Sequence, residues 1–318
     1  MQLFEEKREP LKGIHLMANH IPFVNSQRDC DILKKFYRDS KIARVTLESI
    51  DDLKNNIPAN IGLWIDPVID SYHHILTKTW PTKILELSPK EIKTTWPKDE
   101  RGGRKEIMKF NIWQKWNRIF GIHTGHKLLA NSIFWKKRNF DELDKFIHNV
   151  LNGCLKFNPS WLTVPQLPLS DKKERHKINA QLAQATRNWK LTSSFGGKLI
   201  LPLIFSHQQQ LNKKPIRDDK FHQAIECQKR SEAEGLWIVD STLRDQARNA
   251  NYTNRYSKLI EFHQKVKEEF QEKALIIAGP YWGMNLVLWA RELCDYPAIS
   301  LGTSYAYYIS CGASKQGK

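Results

Sequence analysis

The chain has 318 residues, 41% of them hydrophobic and 26% charged, enough for one large globular domain or two ordinary ones. Its formal net charge is +16, with a pI near 9.5, a balance that leaves the fold open but favours polyanionic partners, nucleic acid first. The five cysteines, Cys30, Cys154, Cys227, Cys294 and Cys311, are odd in number and widely spaced without a C-x-x-C pair, which argues against a disulfide framework or a cysteine-built zinc site.

The first ten residues are charged and carry no apolar core, so no secretory signal is expected. No run of about 18 apolar residues occurs, so no membrane span is expected. Together with the cysteine usage this implies a cytoplasmic protein. In chain order, apolar or β-branched runs predict strands at Ile14–Ala18, Ala43–Glu48, Ile61–Asp66, Trp161–Gln166, Lys198–Phe205, Gly235–Asp240, Ala274–Gly279 and Ala298–Gly302. Apolar residues three to four apart predict helices over Lys172–Asn188, Lys258–Phe270 and Asn285–Cys294. Strands alternating with helices imply a parallel sheet. Eight strands fit a (β/α)8 TIM-like barrel, with an open doubly wound parallel sheet as the alternative.

A single domain over 1–318 is expected, interrupted by a basic, Trp-rich insertion at about 71–158. Between Ser88 and Phe140 thirteen basic residues stand against four acidic ones. Trp96, Trp113, Trp116 and Trp135 are interleaved with them. Cations neutralise phosphates and indole faces stack on unpaired bases. Arg101, Arg104, Lys105, Lys136, Lys137 and Arg138 are therefore candidate nucleic-acid contacts, and the best single one is the loop Arg101–Lys105. The tryptophans themselves are read first as the core of a small helical subdomain beneath that basic face.

The tetrapeptide Gly-Leu-Trp-Ile occurs twice, as Gly62–Ile65 followed by Asp66 and as Gly235–Ile238 followed by Val239 and Asp240. A buried strand ending in a carboxylate presents it at the C-terminal rim of a barrel, where catalytic groups sit. Asp66 and Asp240 are expected to face each other across a cleft. Two such carboxylates suit glycosidic chemistry, one as nucleophile or stabiliser and one as proton carrier. Glu48 is a substitute for Asp66, and His207 is a further acid/base candidate. Gln166, Arg244, Asp245, Gly279, Tyr281, Trp282 and Ser304 follow other strand ends and are expected to contact substrate. The turn Gly279–Gly283 opens a helix whose amides would hold an anion.

Two local resemblances bear on the chemistry. Asp240-Ser241-Thr242-Leu243-Arg244-Asp245-Gln246 is similar to the Asp-Ser/Thr-Thr-Leu-Arg-Asp-Gly motif of the DRE-TIM metallolyases, with Gln246 replacing glycine and no His-x-His pair following. That resemblance implies a divalent metal held by Asp240 and a substrate polarised by Arg244. The segment Gly235–Asn249 resembles the nucleophile region of the tRNA-guanine transglycosylases, in which a strand-end Asp precedes an Ala-Arg-Asn-like run, here Ala247-Arg248-Asn249. The Pro-Thr-Arg element and the cysteine-rich zinc site of that family are absent. This resemblance implies a barrel enzyme acting on a base or N-glycosidic bond in nucleic acid, with Asp240 as nucleophile and no cofactor. The alternatives are a metal-dependent lyase or hydrolase of a small anionic metabolite, and a non-catalytic nucleic-acid-binding subunit of a larger assembly.

Overall fold

The computed structural model describes residues 20–67, 140–169, 173–205, 218–240, 253–270, 273–281 and 283–301. Their eight strands are all parallel and close in sequence order into a barrel. The strands are β1 (Ile21–Val24), β2 (Ile42–Thr46), β3 (Gly62–Asp66), β4 (Trp161–Thr163), β5 (Lys198–Phe205), β6 (Gly235–Asp240), β7 (Leu275–Ala278) and β8 (Tyr296–Ser300). Each of the first seven is followed by its own helix: α1 (Gln27–Phe36), α2 (Leu47–Leu53), α3 (Phe140–Leu155), α4 (Lys173–Thr192), α5 (Asp218–Ser231), α6 (Thr253–Phe270) and α7 (Met284–Ala290). The fold is a (β/α)8 barrel, not the open sheet.

Alternation along each strand sorts its side chains between two cores. Ile21, Phe23, Trp64, Trp161, Ile200, Ile204, Trp237, Val239, Ile277 and Ala298 pack inside the barrel. The residues between them, such as Val45, Ile65, Leu201, Ile238 and Ile276, join the layer between sheet and helices. The two Gly-Leu-Trp-Ile runs obey this rule identically. Glycine and tryptophan face inward, and leucine and isoleucine face outward. A Cβ at Gly62 would stand 2.8 Å from Ile42 Cδ1, and one at Gly235 would stand 2.6 Å from Ile200 Cδ1. The echo is thus a packing device. A small residue lets the barrel floor close beneath Trp64 and Trp237, whose rings meet edge to face at 5.1 Å.

The connections differ sharply between the two ends. At the N-terminal end short turns join helix to strand, and their acids cap strand starts. Glu234 accepts from the Leu199 amide at 2.7 Å and pairs with Lys190. Asp295 accepts from the Ile276 amide at 2.7 Å and from Lys267 at 3.0 Å. At the C-terminal end the chain makes its long connections, residues 67–139, 206–217 and 241–252.

Two expectations compare differently with the structure. β1 is Ile21–Val24, a strand not expected from the sequence, whereas the expected strand Ile14–Ala18 lies outside the described residues. The insertion also ends earlier than residue 158. α3 lies between β3 and β4 and buries Leu143, Ile147, Val150 and Leu151, so it is the barrel's own helix.

Substituting Gly62 or Gly235 with alanine should cost about 1–3 kcal/mol, because Ser160 and Ile42 at the first site and Ile200 at the second must shift. Urea unfolding measures it, with exposed Lys34→Ala as a control expected to stay within about 0.5 kcal/mol of the parent.

Candidate functional site

Among the described residues, the C-terminal end of the barrel brings strand-end polar groups beside long connections, and that end carries the candidate site. At its centre Arg44 of β2 and Asp66 of β3 meet inside the lumen. Arg44 Nε donates to Asp66 Oδ2 at 3.0 Å, and Nη2 donates to the same oxygen. Both residues are buried, at 2% and 1% exposure. The guanidinium packs against two rings that also touch each other, 4.4 Å from the Phe23 centroid and 4.9 Å from that of Trp237. A charge removed from water needs such compensation from a counterion and π-faces. Sequence reasoning missed Arg44. In Ile-Ala-Arg-Val-Thr a lone arginine reads as a solvent-facing position, and only barrel closure turns it inward.

Asp240 lies elsewhere. It pairs in register with Phe205, and Val239 pairs with Ile204. Ile204 and Val239 belong to the lumen, while Phe205 belongs to the outer layer and packs edge to face on Phe262 of α6. Asp240 is fully buried and has the outward register. Asp66, two residues beyond the inward Trp64, has the inward one. The expected facing pair across the lumen is therefore corrected: the two carboxylates end their strands at the same rim but on opposite faces of the sheet. The single extra residue Val239 produces the difference, because the side-chain period along a strand is two.

Behind β6 the outer face holds a buried polar cluster. The Tyr281 hydroxyl donates to the Ile238 carbonyl, and its ring meets His263 of α6 edge to face at 6.0 Å. Burial, then the charge of Asp240, then Cys294 push the Tyr281 hydroxyl well above its ordinary range. Burial pushes the His263 imidazole down to about 3, against a small opposing effect of the Leu293 backbone. Burial likewise pushes the Cys227 and Cys294 thiols up to about 12. Cys154 also rises, through burial and then the negative charge of Asp66. None of these thiols is a ready nucleophile.

Other expected contacts are committed to the scaffold. The Gly279 amide donates to Ile238 O at 3.1 Å, and its carbonyl accepts from Trp237 Nε1 at 2.7 Å. Its φ of +88 is one that glycine adopts without strain. The Met284 amide donates to Tyr281 O at 2.8 Å. The Gly279 and Met284 amides are thus engaged within the scaffold, and the helix that follows has seven residues; Trp282, inside the turn Gly279–Gly283 expected to hold an anion, lies outside the described residues. Gln166 Nε2 donates to the carbonyls of Pro165 and Asn179, which makes it a brace of the β4–α4 loop. Asn179 grips that loop through both backbone groups of Leu167, each at 2.9 Å. Glu48 belongs to the first turn of α2 and not to a strand end. His207, Arg244, Asp245, Trp282, Ser304, Arg101, Arg104, Lys105, Lys136, Lys137 and Arg138 lie outside the described residues. Among the described residues no cluster of three or more metal-ligating side chains occurs, and no helix is long and apolar enough to cross a membrane.

Asp66→Ala should destabilise the fold by about 3–5 kcal/mol, because it removes the carboxylate paired with a buried guanidinium. The double variant Arg44→Met/Asp66→Leu should regain most of the loss, and a denaturant-unfolding cycle reads both. Acid should act through His263. Its folded value of about 3 lies below the unfolded one of 6.5, so the unfolded chain takes up the proton first as pH falls. Stability from this group is full above pH 6.5 and declines towards pH 3 by at most about 1.4 kcal/mol per pH unit. His263→Phe should flatten that slope in urea titrations across the window.

No protein-family model matches the chain, and no curated protein matches it.

Proposed function

We propose that the chain is an enzyme acting on a base or an N-glycosidic bond in nucleic acid, with its reaction centre at the C-terminal mouth of the barrel. The observation that carries the reading is Asp66, an inward-facing carboxylate at a strand's C-terminal end, fixed by a guanidinium that packs against two aromatic rings. Cleavage of a glycosidic bond builds positive charge on the sugar carbon and requires a proton at the leaving base, and a positioned carboxylate serves either need. Asp66 is the proton carrier in this reading. Asp240, which the transglycosylase resemblance assigns as nucleophile or stabiliser, ends β6 at the same rim.

Charge supplies the reason for a polymeric substrate. The basic segment between Ser88 and Phe140, thirteen basic residues against four acidic, lies in sequence between Asp66 of β3 and α3 and outside the described residues. Neutralisation of phosphates by such a segment would hold the backbone while one base is presented to the site. The described cysteines are free, which suits work in the cytoplasm.

Exchange or release of a free base from tRNA, single-stranded DNA and duplex DNA, followed by mass spectrometry, tests the reading. Asp66→Asn should lower turnover by at least about 100-fold while nucleic-acid affinity changes little. Undiminished turnover in that variant would sink it. A strict requirement for a divalent ion, with small carboxylated or phosphorylated molecules turned over instead, would establish the metallolyase reading in its place.

A further inference from the structure

α4 carries a row of cations whose partners can be followed down the helix. His176 pairs with Glu226 at 2.8 Å, Arg187 with Glu232 at 2.5 Å, and Lys190 with Glu234. Arg175 breaks the pattern. Among the described residues it has no hydrogen-bond or carboxylate partner, although it is only partly exposed.

Its position is set by the helix. Arg175 stands four residues before Asn179, on the same face and one turn nearer the helix start. That face is the inward one. Asn179, Leu182 and Thr186 along it are all buried, and Asn179 holds Leu167 of the β4–α4 loop. Leu167 already lies beyond the last residue of β4, so Arg175 stands at the C-terminal rim, turned to the barrel side. Burial lowers its proton affinity with no acid to oppose the shift. Lys173 and Lys177 flank it and are exposed. A partly desolvated guanidinium without a carboxylate is costly to fold unless an anion completes it, and its planar fork matches a phosphate.

We propose that Arg175 is a phosphate-binding residue on the rim above β4, taking a phosphate of the nucleic-acid substrate. This rests on the function proposed above for its substrate class. Arg175 holds the polymer's backbone and takes no part in bond making.

The test uses the full chain, its Arg175→Gln variant and two probes. The first probe is inorganic pyrophosphate in a thermal-shift titration against sodium chloride at matched ionic strength. The parent should gain several degrees in Tm and the variant should not. In the absence of probe the variant should melt no lower than the parent, whereas a merely structural arginine would lower Tm on removal. The second probe is a labelled single-stranded oligonucleotide across a salt series. Arg175→Gln should weaken binding about tenfold and reduce the slope of log K against log salt by about one. An uncharged methylphosphonate oligonucleotide should bind parent and variant alike. Equal pyrophosphate response in parent and variant overturns the proposal, and so does an unchanged salt slope. A pyrophosphate response lost in the variant, with no oligonucleotide binding by the parent, upholds the phosphate site and removes the nucleic-acid reading. Oligonucleotide binding and base exchange that survive Arg175→Gln unchanged remove the site and leave that reading standing.

Discussion

The lumen of this barrel is organised around a charge that cannot be hydrated. Arg44 and Asp66 are both almost fully buried, and the guanidinium has the faces of Phe23 and Trp237 against it. Such a pair is tolerated only when geometry is held tightly. The register of β2 on β3 holds the carboxylate beside the guanidinium, with Arg44 opposite Trp64 and Thr46 opposite Asp66. The edge-to-face contacts among Phe23, Trp64 and Trp237 hold the walls. Trp237 is fixed in turn by its bond to the Gly279 carbonyl, so the end of β7 is coupled to the same centre. The aromatic lumen and the ionic pair are one construction, and each makes the other affordable.

Much of this was legible in the amino-acid order, and the failures have physical causes. β5 and β6 were bounded correctly because parallel barrel strands are apolar on both faces and stop abruptly at polar residues. β1 was missed because Pro22 demotes His20-Ile-Pro-Phe-Val as a central strand, while Ile14–Ala18 offers an apolar run without one. The carboxylates show the sharper lesson. Both Gly-Leu-Trp-Ile runs were read as delivering an acid to one cleft, yet counting from the tryptophan separates them. Asp66 is two residues on and shares its face, while Asp240 is three residues on and does not. That parity was available in the sequence and required only that the tryptophan be taken as the inward marker. Arg44 and Arg175 were not available in the same way. Their roles depend on which face closure and helix packing turn inward, and a single charged residue carries no sign of that.

The two ends of the barrel treat charge differently. At the N-terminal end acids serve backbone and side chain together, as Glu234 does for the Leu199 amide and Lys190, and Asp295 for the Ile276 amide and Lys267. These are bonds that define strand starts and therefore register. At the C-terminal end the polar groups are held more expensively, as the lumenal pair and as the partly buried Arg175. Stability is concentrated where connections are short. The long connections follow the other end, the one at which barrels of this kind can carry their sites.

The opposed faces of Asp66 and Asp240 also separate what each can do. Asp66 looks into a lumen filled by side chains, with the aromatic rings of Trp64 and Trp237 beneath it. Asp240 looks into the helix layer, beside Tyr281 and the helix that carries His263. A carboxylate there is coupled to the packing of α6 on the sheet and to the connection 241–252 that continues from it. The Tyr281 hydroxyl, bonded to Ile238 two residues earlier, fixes the strand that presents this acid. One carboxylate is thus positioned by an ion pair within the barrel and the other by a hydrogen-bonded outer layer. Changes in the α6 interface should therefore reach the rim through Asp240 and leave the Arg44–Asp66 geometry unaltered.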